Sequence, residues 1–284
     1  MKISLAQGAA GTEIAGLGHA QPARIMDNHE LEGMMDTSDE WIRQRTGIVT
    51  RHIAADGETV VDLAVPAARM ALADSAVPAA DIDLVVVATT TAAERSPNTA
   101  GRVAEALGLA GGDGGPAIMD INTACSGFEY ALGVADQAIR TGSATHAIVV
   151  GAETLSAVTD WTDRATAVLT ADGAGAAVVR PSQAPRIGPV VWGSEAGMAD
   201  AVRISPPAGR FSQNGREVLR WALTRAPERA REVVARAGLS LDDIQVLAAH
   251  QANLRIIEPL AEALGLADRV VITDVTESGN TSAA

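Results

Sequence analysis

The sequence predicts a layered α/β fold built from two copies of one strand–helix–strand unit. A continuously apolar run at residues 81–90 is typical of a strand inside a parallel sheet. The heptapeptide AEALGLA ends a predicted helix twice, at residues 104–110 and 261–267. Each copy lies between two strand patterns, so the match indicates a duplicated βαβ unit.

Before the first copy, residues at capping positions predict two short helices after a strand near residues 13–18. Glu30 follows Asp27 by three residues, and Glu40 follows Thr37 by three, which is the spacing of a capping box. Helices should therefore begin near residues 28 and 38.

A longer helix is predicted next, at residues 59–73. Pro66 lies inside this pattern, and a proline lacks the backbone N–H that continues a helix. We therefore expect Pro66 to bend the helix or to restart it.

The only cysteine, Cys125, lies where the hydrophobic period changes. Residues 117–119 predict a buried strand, and residues 131–138 repeat at helical spacing. We therefore expect Cys125 at a sharp turn that opens a helix, where free N–H groups and the helix dipole favour the thiolate. An isolated cysteine is more often a small buried hydrophobe, so the hypothesis of a nucleophile depends on the rest of the chain.

The second copy predicts strands at residues 243–250 and 272–276. Sites in parallel sheets form at the carboxyl ends of strands. Cys125 lies at such an end in the first copy, whereas His250 and Asn280 lie at such ends in the second. Taken alone, His250 is more often a core residue and Asn280 a turn residue, but pairing of the two halves would bring all three to one cleft.

The two copies differ in the length of chain beyond the site. After Cys125 the pattern predicts a helix at residues 126–142 and strands at 146–153 and 171–179, whereas only four residues come after Asn280. We expect a helix and some two strands to be missing, so that the chain is truncated; the alternative is a natively short half with a bare sheet edge. The expected division is a mobile leader at residues 1–11, an N-terminal half at 12–182 and a C-terminal half at 183–284.

Composition narrows the class of protein. The 284 residues are 47% hydrophobic, which is enough for a large core, and the net charge of −13 argues against nucleic acid as a partner. One cysteine argues against an intrachain disulfide and predicts a reducing compartment, by default the cytoplasm. The sequence has neither a signal peptide nor an apolar run of the roughly 20 residues that span a membrane, so we expect a soluble protein without a membrane partner.

Five stretches resemble the β-ketoacyl-acyl carrier protein synthase III family of the thiolase superfamily. They are DTSDEWIRQRTGI (36–48), NTACSGF (122–128), DGAGAAVV (172–179), HQANLRII (250–257) and GNTSAA (279–284). They cover nearly the whole chain in the family's order. The resemblance implies a five-layer αβαβα thiolase fold, a homodimer, and a catalytic set of Cys125, His250 and Asn280.

The implied reaction joins a short acyl-CoA primer to malonyl-acyl carrier protein by decarboxylative Claisen condensation, which primes fatty acid or polyketide synthesis. The turn at Cys125 would supply an acyl-accepting thiolate and a backbone N–H for the oxyanion. Neutral His250 and the Asn280 amide can both donate hydrogen bonds to the enolate. Coenzyme A is here part of a substrate, and no metal or redox cofactor is needed.

The resemblance also assigns binding residues for coenzyme A. Trp41 and Arg164 would hold the adenine between them, with Thr37, Arg45 and Asn253 nearby. An indole face and a guanidinium plane both suit an adenine ring.

The carrier protein is acidic in the family, and Arg220 and Arg255 are predicted to contact it. Glu129 departs from the family pattern, since an apolar residue is usual one helical turn after Cys125. A carboxylate there opposes formation of the thiolate.

Two other functions stay open. One is an acyltransferase on the same fold that passes its acyl group to an alcohol or an amine without forming a carbon–carbon bond. The other is a non-catalytic partner subunit, which Glu129 favours. Asn280 favours decarboxylative condensation over simple acyl transfer.

Overall fold

The computed structural model describes residues 7–109, 114–205 and 209–284. Its strands are β1 (Gly11–Ala20), β2 (Arg24–Asp27), β3 (Thr50–Ile53), β4 (Leu84–Ala88), β5 (Ala117–Ile121), β6 (Ala147–Thr154), β7 (Asp172–Ser182), β8 (Val202–Ser205), β9 (Arg210–Gln213), β10 (Val246–Leu247) and β11 (Val270–Val271). Its helices are α1 (Asn28–Glu32), α2 (Asp39–Thr46), α3 (Val60–Ser75), α4 (Thr99–Leu107), α5 (Gly127–Thr141), α6 (Arg164–Ala167), α7 (Gly215–Arg236), α8 (Leu254–Leu264) and α9 (Val275–Ser278). No helix in these three ranges is long and apolar enough to cross a bilayer.

The central sheet has five strands in the order β1-β7-β6-β4-β5. Strand β4 runs parallel to β5 and β6, as predicted, but β7 runs antiparallel to both β6 and β1. The sheet is therefore mixed. Helices α3 and α4 cover one face and α5 covers the other, which buries β4 and β6 completely. The carboxyl ends of β4, β5 and β6 consequently meet at one edge.

The two short helices begin where predicted. Asp27 caps α1 by accepting a hydrogen bond from the N–H of Glu30, at 3.0 Å. The cap of α2 is Ser38, which accepts from the N–H of Trp41 at 3.1 Å, so the prediction of Thr37 as the cap is wrong by one residue. Thr37 and Ser38 both carry a hydroxyl that can accept the capping hydrogen bond.

Three other features of the N-terminal part correct the sequence predictions. Helix α3 runs through Pro66 without restarting, so of the two predicted effects of this proline the restart is wrong. Of the predicted leader, residues 1–6 lie outside the described residues, and Gly11 already belongs to β1. Strand β5 is not buried, because it is the last strand of the sheet; Ile118 is 44% exposed and Met119 37%.

The duplicated unit is confirmed at the level of its elements. Strands β10 and β11 pair in parallel around α8, as β4 and β5 do around α4. Both helices end on a left-handed glycine, Gly108 with φ of 73° and Gly265 with φ of 71°. The backbone N–H of the leucine after each glycine donates a hydrogen bond back to the helix. Leu109 donates to the Ala104 oxygen at 3.0 Å, and Leu266 donates to the Ala261 oxygen at 2.8 Å.

The predicted strand at residues 272–276 is wrong. Strand β11 ends at Val271, and α9 begins at Val275. The Gln251 side chain causes the departure, because it donates to the Ile272 oxygen at 3.0 Å and accepts from the Val275 N–H at 3.0 Å. Val275 is thereby drawn into the core instead of extending the ladder.

Candidate active site

The turn between β5 and α5 carries Cys125 at the start of the helix, as the change of period predicts. Ala124 adopts φ of 51°, a left-handed conformation that costs a residue with a Cβ about 1 kcal/mol or more. Gly127 lets the helix start lie close to β4, since a Cβ there would be 2.8 Å from that of Ala88 and 3.0 Å from that of Ala283. The strained turn and the close packing together fix the position of Cys125.

Two cavities meet at Cys125. The first, here called the histidine cavity, has a volume of about 410 Å³ and is lined by His250, Glu129 and His19 as well as by apolar residues. The second, the asparagine cavity, has a volume of about 240 Å³ and contains Asn280. Ser282 borders both cavities. The apolar side chains of the asparagine cavity are Leu155, Val202, Ile204 and Phe211.

Asn280 is held through its backbone and its side-chain oxygen. Its N–H donates to the Leu169 oxygen at 2.9 Å, and its own oxygen accepts from the Ala171 N–H at 3.0 Å. Its side-chain Oδ1 accepts from the N–H of Ser282 at 2.9 Å. The amide NH₂ group is therefore the part of the side chain that is left to donate to a ligand.

The pKa of the Cys125 thiol is higher than usual, contrary to the expectation from its place at a helix start. Burial raises this pKa most, a hydrogen bond with Ser282 lowers it, and the carboxylates of Glu153 and Glu129 raise it further. The low-dielectric surroundings penalise the thiolate more than the helix start stabilises it. Burial also lowers the pKa of His250, which keeps the imidazole neutral near pH 7.

The predicted coenzyme A residues lie on or beside α2: Thr37 just before it, Trp41 and Arg45 on it, and Arg164 and Asn253 against it. The guanidinium of Arg164 lies 4.6 Å from the centre of the Trp41 ring, and that of Arg45 lies 5.7 Å from it. Asn253 donates its side-chain N–H to the Arg45 oxygen at 3.1 Å. The buried Thr37 hydroxyl has no hydrogen-bond partner among the described residues.

Arg220 and Arg255 lie at the surface on different helices. Arg220 belongs to α7 and Arg255 to the first turn of α8, and the two helices pack on each other around Leu260 and Leu264. Both arginines are exposed. Within the described parts of the chain, neither forms a salt bridge.

Comparisons with known proteins identify the family. The pattern of 3-oxoacyl-[acyl-carrier-protein] synthase III matches residues 119–196, and that of its C-terminal part matches residues 234–284. A beta-ketoacyl-[acyl-carrier-protein] synthase III of Streptomyces coelicolor is 56% identical over 96% of this chain and 86% of its own length. The chain belongs to the synthase III family. A Streptomyces avermitilis synthase III is 55% identical over 96% of this chain and 87% of its own length.

Solved synthase III structures confirm the predicted five-layer, thiolase-like α/β fold. The priming β-ketosynthase of the R1128 polyketide pathway superposes with a TM-score of 0.93 at 36% identity, over 100% of this chain and 86% of that one. A synthase III of Aquifex aeolicus gives 0.88 at 38% identity, over 96% and 87%.

Two residues of this synthase III site were not predicted from the sequence. Glu153 is the last residue but one of the buried strand β6, and Ser282 lies in the GNTSAA stretch. A carboxylate inside an apolar strand was a signal that could have identified Glu153, since isolated charges are rarely buried. Nothing in the sequence indicates that Ser282 reaches Cys125.

Proposed function

We propose that this synthase III condenses an acyl-CoA primer with malonyl-acyl carrier protein through an acyl-cysteine at Cys125, and so primes fatty acid or polyketide synthesis. The observation that carries the proposal is the position of Cys125 between two cavities, with His250 in one and Asn280 in the other. The names of the relatives, which include a priming ketosynthase, support the same reaction.

In the first step, the Cys125 sulfur attacks the thioester carbonyl of the primer. A carbon–sulfur bond to Cys125 forms as the bond to coenzyme A breaks, and the proton lost by the Cys125 thiol ends on the departing coenzyme A sulfur. The backbone N–H groups at the start of α5 can stabilise the oxyanion. Trp41 and Arg164, with Thr37, Arg45 and Asn253, would hold the coenzyme A.

In the second step, the malonyl group loses carbon dioxide, and the electrons of the broken bond form an enolate. Neutral His250 and the Asn280 NH₂ group would each donate a hydrogen bond to the enolate oxygen, worth about 3 kcal/mol apiece. The enolate carbon then attacks the acyl thioester and releases Cys125. Both steps move electron pairs only, so the proposal includes no metal or redox cofactor.

The assembly follows from the same proposal. Residues 12–182 would form the half with the nucleophile, and residues 183–284 the half with His250 and Asn280. The exposed apolar residues Ile118 and Met119 on β5 support a homodimer, because an uncovered apolar sheet edge favours pairing. Arg220 and Arg255 would contact the carrier protein in the cytoplasm.

A second candidate function is a partner subunit that does not catalyse. The raised pKa of the Cys125 thiol and the carboxylate of Glu129 favour it, because both work against a nucleophile. Acyl transfer to an alcohol or amine would share the first step, after which the alcohol or amine would attack the acyl thioester in place of the enolate and release Cys125.

The test separates the two steps. The protein is incubated with acetyl-CoA or isobutyryl-CoA and its intact mass measured, with Cys125→Ala as control; carbon dioxide release from malonyl-acyl carrier protein reports the second step. We expect acylation of Cys125 followed by release. A folded protein with unchanged mass after both incubations would contradict the proposal.

His250→Ala and Asn280→Ala should separate the steps further. Each variant should still acylate Cys125 but lose about a hundredfold or more in carbon dioxide release, which is typical for removal of one oxyanion donor. Loss of acylation in both variants would show that these residues serve the first step instead.

A further inference from the structure

A fully buried arginine in strand β3 has no role in the steps above. The Arg51 guanidinium donates from Nη2 to the Asn28 Oδ1 atom at 2.8 Å and to the Val168 oxygen at 3.2 Å. Among the residues that the structure describes, its Nε and Nη1 atoms have no hydrogen-bond partner. Burial lowers the pKa of Arg51 to about 10, which still leaves the group charged near pH 7.

This arrangement destabilises the protein unless the position of the arginine serves a purpose. A buried cation bonded to neutral oxygens has lost its water without gaining a counter-charge, and methionine would fill a similar space without that loss. Asn28 is also buried and fixes the guanidinium, because its amide donates to the Ile48 oxygen at 2.9 Å and to the Asp39 carboxylate at 2.8 Å. The charged end of Arg51 is therefore held in one place.

Strand β3 also holds the short helix α9, which leads into Asn280. The Val49 N–H, next to the strand, donates to the Thr276 oxygen at 2.7 Å. The Thr50 hydroxyl donates to the Glu277 oxygen at 2.8 Å. These two bonds fix the backbone of α9 just before the turn that carries Asn280.

The turn that carries Asn280 is closely packed at both of its ends. Gly279 has φ of 74°, and a Cβ there would lie 3.1 Å from the Cβ of Arg51. At the other end, a Cβ on Gly151 in β6 would collide with the Ala283 oxygen. The place of the turn therefore depends on Arg51 at one end and on β6 at the other.

The guanidinium of Arg51 also holds the segment that binds the Asn280 backbone. Val168, which accepts from Arg51, directly precedes Leu169, and the Leu169 oxygen accepts from the Asn280 N–H at 2.9 Å. The Ala171 N–H donates to the Asn280 oxygen at 3.0 Å. Arg51 thus contacts the turn through its stem, and through its charged end it contacts the segment that pairs with the turn.

We propose that Arg51 is a positioning residue that sets the place of the Asn280 amide for the second step, an inference that rests on the proposed function. Arg51 lines neither cavity beside Cys125, so it acts through Asn280. A reacting or donating group displaced by about 1 Å can lose about a hundredfold in rate. Loss of Arg51 should therefore slow the step that uses Asn280 and spare the first acyl transfer.

The test measures the two steps separately in Arg51→Met and Arg51→Lys. Acylation of Cys125 by acetyl-CoA is followed by mass spectrometry, and carbon dioxide release from malonyl-acyl carrier protein is measured at saturating substrate. Arg51→Met should lower carbon dioxide release by about tenfold to a hundredfold and leave acylation within about twofold of wild type. Arg51→Lys keeps the charge but lacks the planar fork, and should retain part of the release rate.

A double-mutant cycle with Asn280→Ala decides whether Arg51 acts through Asn280. If it does, Arg51→Met should cause no further loss of carbon dioxide release once the Asn280 side chain is absent. The same cycle with Arg51→Lys keeps the test independent of the stability of Arg51→Met. Arg24→Met is the control, since it removes an exposed arginine from strand β2, which pairs with β3, and it should leave both steps unchanged.

Two results would overturn the proposal by showing that Arg51 only stabilises the fold. One is an equal loss in both steps, and the other is a loss of the same size whether or not Asn280 is present. Wild-type carbon dioxide release in both Arg51→Met and Arg51→Lys would also overturn it. A wild-type protein that is not acylated, or that releases no carbon dioxide, would instead overturn the proposed function.

Discussion

The two copies of the βαβ unit have helices that end in the same way, but their strands differ in burial. Helices α4 and α8 end on the same residues with the same left-handed glycine. Strand β4, however, is completely buried, whereas Val246 in β10 is 50% exposed and Val270 in β11 is 59% exposed. The end of a helix is thus specified within a few residues, whereas the length and burial of a strand depend on the elements that cover it.

The largest difference between the copies should appear when a charge is placed in each first strand. Val86→Asp buries an unpaired carboxylate in β4, where Val86 is fully buried, and should cost about 4 kcal/mol or more, enough to prevent stable folding. Val246→Asp leaves its carboxylate in contact with water and should cost less than about 1 kcal/mol. Urea unfolding gives the free energy of unfolding of both variants. Equal losses of this free energy would contradict the expectation that a side chain at 246 is in contact with water.

A smaller effect tests whether the helices are equally well packed. Val103 in α4 and Leu260 in α8 occupy the same position before the shared heptapeptide, and both are buried. Val103→Ala should cost about 2 kcal/mol and Leu260→Ala about 3 kcal/mol, because leucine leaves the larger cavity. Thermal unfolding of both variants supplies the comparison. A negligible loss of stability for Leu260→Ala would show that the two copies differ in the packing of their helices as well as in the burial of their strands.

The smallest effect should appear at the helix ends, and it should be the same in both copies. A Cβ on Gly108 or Gly265 meets nothing within 4 Å, so the cost of Ala at either position comes only from the left-handed backbone, about 1 kcal/mol. Asn at each position is the matched control and should cost less, because it tolerates this conformation. Free energies of unfolding that differ between Gly108→Ala and Gly265→Ala would mean that the two helix ends are not equivalent.

The sequence predicted local features and missed those that depend on distant residues. The turn at Cys125, the helix starts and the repeated helix end are written in adjacent residues and were found. The exposure of β5 and the reversed direction of β7 depend on which strands pair. The sequence of one strand does not indicate which strands will be its neighbours. The high thiol pKa depends on burial and on Glu153, which lies on another strand. The family resemblance nevertheless predicted His250 and Asn280 as site residues, and each lines one of the two cavities beside Cys125.

The glycine of β6 has a consequence for the shape of the active site. Because the Ala283 oxygen lies where a methyl group at Gly151 would stand, the strand sets how deep residues 280–284 sit. A larger side chain at 151 would lift Asn280 and Ser282 together and reshape both cavities at once. The shape of the two cavities is therefore open to adjustment from a buried strand position that lines neither of them.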